Sequence, residues 1–132
     1  MISPQNFKVG EAWAAFSLKE STVFEGENFD LVTLVDVASG KELCRAWLPV
    51  AAKGTSIKEA RDFLENALRA NEHRVPERII LPKGSLADLI EAEAARKGIR
   101  VKSVPEYELR ELASERLAAF SKMLAERRAG DA

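Results

Sequence analysis

The residues able to do chemistry are few. The chain has one cysteine, Cys44, and one histidine, His73. One of each cannot build a structural zinc site, a disulfide or a haem-attachment motif. A nucleophilic thiol also needs an electropositive surrounding and a partner base. Cys44 falls in a predicted strand and His73 in the polar connector Asn71-Glu72-His73-Arg74-Val75-Pro76. They become partners only if the fold joins them, so a buried, inert thiol is the expectation. Among the carboxylates, Glu91 and Glu93 are two apart and do not share a helical face, whereas Glu111 and Glu115 are four apart and do. Arg110 and Arg116 flank the second pair, so a salt-linked helix surface is expected there, with a lone cation site as the alternative.

Two features could bind anions. Lys83-Gly84-Ser85 ends as a phosphate-binding loop does, but Ile79 stands where that motif needs its first glycine. Gly84 and Ser85 still open a predicted helix, whose start could bind an anion; capping by Ser85 is the simpler use. Arg96, Lys97, Arg100 and Lys102 form a local basic cluster, and Lys122, Arg127 and Arg128 form another. Neighbouring glutamates dilute both, so each reads as a solvated surface or as a nucleic-acid contact. Across the chain, 20 Lys and Arg balance 21 Asp and Glu for a net charge of −1. That balance argues against a protein whose main work is gripping a nucleic-acid backbone. Trp13 and Trp47 suit core or edge packing better than base stacking. Phe7 either packs back on the core or marks a partner surface.

These residues must be placed by secondary structure. Glu11 to Lys19 alternates with period two and predicts a strand. Gly26-Glu27-Asn28 is a turn before a second strand, Phe29 to Val37, whose Leu31-Val32-Thr33-Leu34-Val35 is apolar on both faces. Ser39-Gly40 marks a hairpin into a third strand, Glu42 to Val50, with Pro49 stopping it or placing it at an edge. Ser56-Ile57-Lys58-Glu59 is a capping box, followed by Ile57, Ala60, Phe63, Leu64, Ala67 and Leu68 at helical spacing. Arg78-Ile79-Ile80-Leu81 is a short strand. Leu86, Leu89, Ile90 and Ala94 stripe a second helix that Gly98 closes. Ile99 to Val104 alternates as a fifth strand, Pro105 ends it, and Glu106 to Arg128 is helical.

The order is β-β-β-α-β-α-β-α, an α/β fold with a five-stranded mixed sheet and helices on both faces. The parallel crossovers should be right-handed. The length of 132 residues and the 46% apolar composition suit one globular domain, with a core of about 11–125 and short tails. Met1-Ile2-Ser3-Pro4-Gln5-Asn6 has neither a charged leader nor an apolar run, so no secretory signal is expected. No apolar stretch is long enough to span a membrane. A lone cysteine suits the cytoplasm.

Five local patterns then line up in order. Trp13-Ala14-Ala15-Phe16-Ser17 opens the first strand, and Leu34-Val35-Asp36-Val37-Ala38-Ser39-Gly40-Lys41 runs through the first hairpin. Leu81-Pro82-Lys83-Gly84-Ser85 ends the fourth strand, and Lys97-Gly98-Ile99-Arg100-Val101 enters the fifth. Pro105 leads into the long last helix. Together these resemble the catalytic cores of retroviral integrases and bacterial transposases, which have a ribonuclease-H-like fold. The resemblance covers roughly residues 11–125. It implies two-metal phosphoryl transfer, in which carboxylates hold paired Mg²⁺ ions. The resemblance puts the acidic triad at Phe16, Pro82 and Glu115. Phe16 and Pro82 cannot bind a cation, and Glu115 alone cannot hold two. Asp36 matches a position outside that triad.

The expectation is therefore a non-catalytic ribonuclease-H-like domain, with no cofactor and no metal site. It would act as a protein-interaction or self-association module. Its interface candidate is the last helix, where Leu109, Ala113, Leu117, Phe120 and Leu124 nearly follow a heptad that the core also needs. Two alternatives stay open. A nucleic-acid-binding accessory protein related to integrase cores would bind in a salt-sensitive way. An enzyme with an unrecognised site would show a deep pocket with convergent polar groups.

Overall fold

The computed structural model describes residues 2–49 and 56–130, with the side chains of residues 19, 20, 56, 57, 85–87, 89 and 128–130 outside that description. Five strands and three helices follow in the predicted order: β1 Ala12–Phe24, β2 Glu27–Asp36, β3 Glu42–Pro49, α1 Ser56–Ala70, β4 Arg78–Pro82, α2 Ser85–Arg96, β5 Arg100–Val104 and α3 Arg110–Gly130. The sheet order is β3-β2-β1-β4-β5. The β1–β2 and β2–β3 pairs are antiparallel, and β4 is parallel to both β1 and β5.

Central position explains the burial pattern. The first strand alternates in sequence, yet Ala12 to Phe16 are all buried, because helices cover both faces of the central strand. The strand is also longer than expected. Glu25 and Gly26, both at positive φ, form a tight hairpin turn, and pairing continues to Phe24 opposite Glu27. A register shift between Ser17 and Ser21 interrupts the ladder. In the β2–β3 pair, Leu34 faces Cys44 and Val35 faces Glu42, leaving Leu43 as the extra residue of a bulge. Pro49 ends β3 at the sheet edge, where a missing N–H does least harm. Val50, the expected end of that strand, lies outside the described residues, as does the Ser56 side chain of the expected capping box.

Two apolar layers sandwich the sheet. On one face Trp13, Ala15, Val32, Leu34, Ile79 and Leu81 pack against Phe63, Leu64 and Ala67 of α1 and Ile90 and Ala94 of α2. Burying each large side chain stabilises by roughly 1.5–3 kcal/mol. The Trp13 indole nitrogen is buried with no hydrogen-bond partner, which costs back about 1–3 kcal/mol. On the other face Ala12, Ala14, Phe16, Val35, Val37, Ile80 and Val104 meet Leu109 and Leu112. Ile2 and Phe7 pack against this second layer, so the residues ahead of β1 fold back on the core. The Ile2 N–H donates to the Glu108 carbonyl at 2.9 Å.

The last helix differs from its sequence pattern. Pro105, in extended conformation, leads into a 3-10 turn at Glu106–Leu109, and the α-helix begins only at Arg110. Of the expected stripe, Leu109 and Leu112 are buried and Ala113 packs beside them. Leu117, Phe120 and Leu124 are only half-buried. No helix among the described residues is long and apolar enough to cross a membrane.

Candidate functional site

The two strands central to the resemblance lie side by side. Ala14 of β1 partners Ile80 of β4 in a parallel register. The pairing ends at that rung, and Phe16 and Pro82 lie two residues further along their strands. Both belong to the face that α3 covers, by alternation from Ala14 and Ile80. Phe16 is 4% exposed and packs in the apolar layer with Leu112. Glu115 follows Leu112 by three residues, is exposed, and lines a shallow cavity of about 190 Å³ with Val35, Ser39, Gly40, Leu112 and Arg116. Neither Phe16 nor Pro82 lines it.

A satisfied polar network lies next to Phe16. Its register partner on β2 is Thr33, which is fully buried. The Thr33 hydroxyl donates to Glu42 Oε2 at 2.6 Å, and Arg45 Nε and Nη2 donate to Glu42 Oε1 at 3.2 and 2.9 Å. The Arg45 guanidinium lies 5.2 Å from the centre of the Phe120 ring on α3. Glu42 is thus held by a hydroxyl and a guanidinium. The sequence does not reveal this cluster, because the bulge at Leu43 decides which face Glu42 and Arg45 share.

Asp36 is equally committed. Its Oδ1 accepts from the Gly10 N–H at 2.8 Å, and its Oδ2 accepts from the Ser39 N–H and hydroxyl at 2.9 and 2.7 Å. Those bonds offset the cost of burying a carboxylate and pin the β2–β3 turn. Gly40, at φ +74°, completes that turn.

The remaining candidates separate. The Cys44 thiol donates to the Phe63 carbonyl of α1 at 3.5 Å, while His73 is exposed beyond the end of α1. Burial, with the Glu42 charge adding to it, pushes the Cys44 pKa up to about 12, so the thiol is inert. At the start of α2, Gly84 holds the N-cap position with φ 137° and no side-chain cap bond. The expected capping by Ser85 is therefore shifted by one residue: Ser85 is the first helical residue, and its side chain lies outside the described residues. Exposed Glu111 and Glu115 form no ion pair with Arg110 or Arg116 among the described residues, so the expected salt-linked surface is replaced by separately solvated charges. The basic cluster is split. Arg96 and Lys97 end α2 on one side of the sheet. Arg100 and Lys102 are exposed on the edge strand β5, on the α3 face. Arg100 instead has Arg78 as its register partner, a residue 22 positions away that sequence proximity could not connect. Among the described residues no three of His, Cys, Asp or Glu gather where a metal ion could be held.

Comparison with solved structures places this architecture. An intasome of simian T-cell lymphotropic virus, in complex with the PP2A regulatory subunit B56 gamma, contains a chain that superposes with a TM-score of 0.58 at 17% identity. That match covers 93% of this chain and 42% of the viral one, so this chain spans less than half of its length. The HTLV-2 integrase catalytic core with magnesium superposes with a TM-score of 0.54 in its trimeric form, at 14% identity over 93% of this chain and 74% of that one. Its dimeric form gives 0.52 at 13% identity, over 98% and 75%. No protein-family model and no curated protein matches the sequence. The fold is the ribonuclease-H-like fold of retroviral integrase catalytic cores. The three positions that the sequence resemblance assigns to an acidic triad would suit magnesium ions poorly. Phe16 and Pro82 have no side-chain oxygen to offer a hard cation, and Glu115 opens onto a different cavity.

Proposed function

We propose that this chain is a non-catalytic ribonuclease-H-like module that associates with a second copy of itself or with another protein. One observation carries the reading. The two positions that would supply acidic ligands on β1 and β4 hold Phe16 and Pro82, and Phe16 is built into the apolar layer under α3. A two-metal mechanism has no purchase there. The folded scaffold is left with its surfaces. Leu117, Phe120, Met123 and Leu124 run half-exposed along α3, and Trp47, 44% exposed, stands two residues beyond Arg45 on the neighbouring edge strand. Solved integrase cores described as dimeric and trimeric, and an intasome bound to a regulatory subunit, make association through such a scaffold a reasonable use of it. The lone Cys44 suits a cytoplasmic setting.

Light scattering tests the self-association arm. The wild-type chain should give a dimer mass at high micromolar concentration. Leu124→Glu should give a monomer with the same circular dichroism. A wild-type monomer throughout that range removes self-association. Cleavage or strand joining of DNA with Mg²⁺ or Mn²⁺ would overturn the non-catalytic reading as a whole.

A further inference from the structure

We infer that the cavity between the starts of β4 and β5 binds a phosphate group through Arg78 and Arg100. The cavity has a volume of about 340 Å³ and is lined by Glu77, Arg78, Gly98 and Arg100. It lies at the end of the strands opposite to Phe16 and Pro82, because Arg78 and Arg100 are the first residues of their strands and Pro82 is the last of β4. The inference is independent of whether the chain self-associates.

The arrangement is unfavourable without an anion. Arg78 and Arg100 are direct register partners on adjacent parallel strands, and like charges so placed repel. Lys102 projects from the same face two residues along β5, opposite Ile80. Among the described residues no ion pair engages Arg100 or Lys102. Arg78 has one carboxylate within reach, that of Glu77 at 4.0 Å, and that glutamate is 72% exposed. Such a loose, solvated pair is readily exchanged for a better anion. Two guanidinium forks side by side match the oxygens of a phosphate, which can accept from both at once.

The walls permit this. Gly98 sits at φ +74° after α2, and nothing lies within 4 Å of where its Cβ would stand, so the cavity is unobstructed on that side. Two of the carbonyls near the end of α2 that would oppose an anion are occupied. Ala94 O accepts from the Lys97 and Ile99 N–H groups, and Ala95 O accepts from Gly98 N–H. Nearby Glu11 is turned to the Lys8 N–H at 3.3 Å. Glu77 is therefore the competing anion at the site.

Titration calorimetry on the full chain at low salt tests this, with inorganic phosphate in one arm and a single-stranded oligothymidylate in the other. Saturable binding in either arm is expected, and the arm that binds tells free phosphate from a nucleic-acid backbone. Arg100→Gln, at an exposed position, should weaken binding at least tenfold. Glu77→Gln should tighten it severalfold, which a general loss of structure cannot mimic. Lys41→Gln, at the exposed β2–β3 turn, should change nothing. The site is disproved if neither ligand binds the wild type, or if Arg100→Gln and Glu77→Gln both bind as the wild type does.

Discussion

Phe16 and Cys44 show how the surroundings of a residue decide its chemistry. An aspartate at position 16 would be a buried charge beside Val35, Ile80 and Leu112, whose side chains offer it no hydrogen-bond donor. The phenyl ring instead adds apolar contact to that layer. Cys44 is the one thiol, and its place in a predicted strand leads one to expect it buried and inert. Its bond to the Phe63 carbonyl, its partial burial and the neighbouring Glu42 charge decide for inertness. A pKa of about 12 in place of 9.0 lowers the thiolate fraction at pH 8 roughly a thousandfold. Native protein should accordingly react with iodoacetamide at pH 8 orders of magnitude more slowly than protein unfolded in urea. Equal rates in the two states would show that Cys44 is open and ionisable.

At the scale of elements, α1 and α2 cover one face of the sheet, and an ion pair joins them. Arg61 Nε lies 3.3 Å from Glu93 Oε2, and the Glu93 side chain is 5% exposed. The hydrogen bond from Arg61 holds Glu93 below the ordinary glutamate range, against the opposing effect of burial, and the charges of Arg61, Arg96 and Lys97 reinforce it. A carboxyl group whose pKa is lower in the folded state stabilises fully above its unfolded value, about 4.3. That contribution disappears as pH falls through the lower folded value. The urea midpoint of the wild type should therefore fall on acidification from pH 6 towards pH 3, and Glu93→Gln should fall less over the same interval. Parallel curves would mean that the pair does not link the helices. The periodicity of α1 and α2 is legible in sequence, but the pairing of Arg61 with Glu93 is not. It spans 32 residues and depends on how the helices lie across the strands.

For the whole molecule, the question is what α3 adds. The last members of the two apolar layers are Ile99 and Leu112, with Ala113 packed beside them, so the half of α3 after Leu117 contributes to neither. Its identified contact with the sheet is Phe120 on Arg45, worth about 0.5–1 kcal/mol at an exposed site. A chain ending at Leu117 should still unfold cooperatively, with a melting temperature lower by a few degrees. It should also lose the dimer mass. Loss of cooperative unfolding would show instead that the distal helix is part of the core. The order of all five strands and three helices can be read from the sequence, since hairpin turns, helix stripes and the Gly98 stop are local signals. The candidate sites are less legible. Arg78 beside Arg100, Glu42 beside Arg45, and Asp36 holding the Gly10 N–H across 26 residues all depend on strand register.

The sequence by itself determined the succession of elements and the absence of carboxylates at Phe16 and Pro82, because side-chain period and residue identity are local properties. Tertiary structure alone decided the strand order β3-β2-β1-β4-β5, the adjacency of the strands that carry Phe16 and Pro82, the inward turn of Glu42 and the meeting of two arginines at the start of β4 and β5. The physical reason is the period of two along a strand: one bulged residue or one step of register moves a side chain to the opposite face, and only the paired neighbour fixes that step.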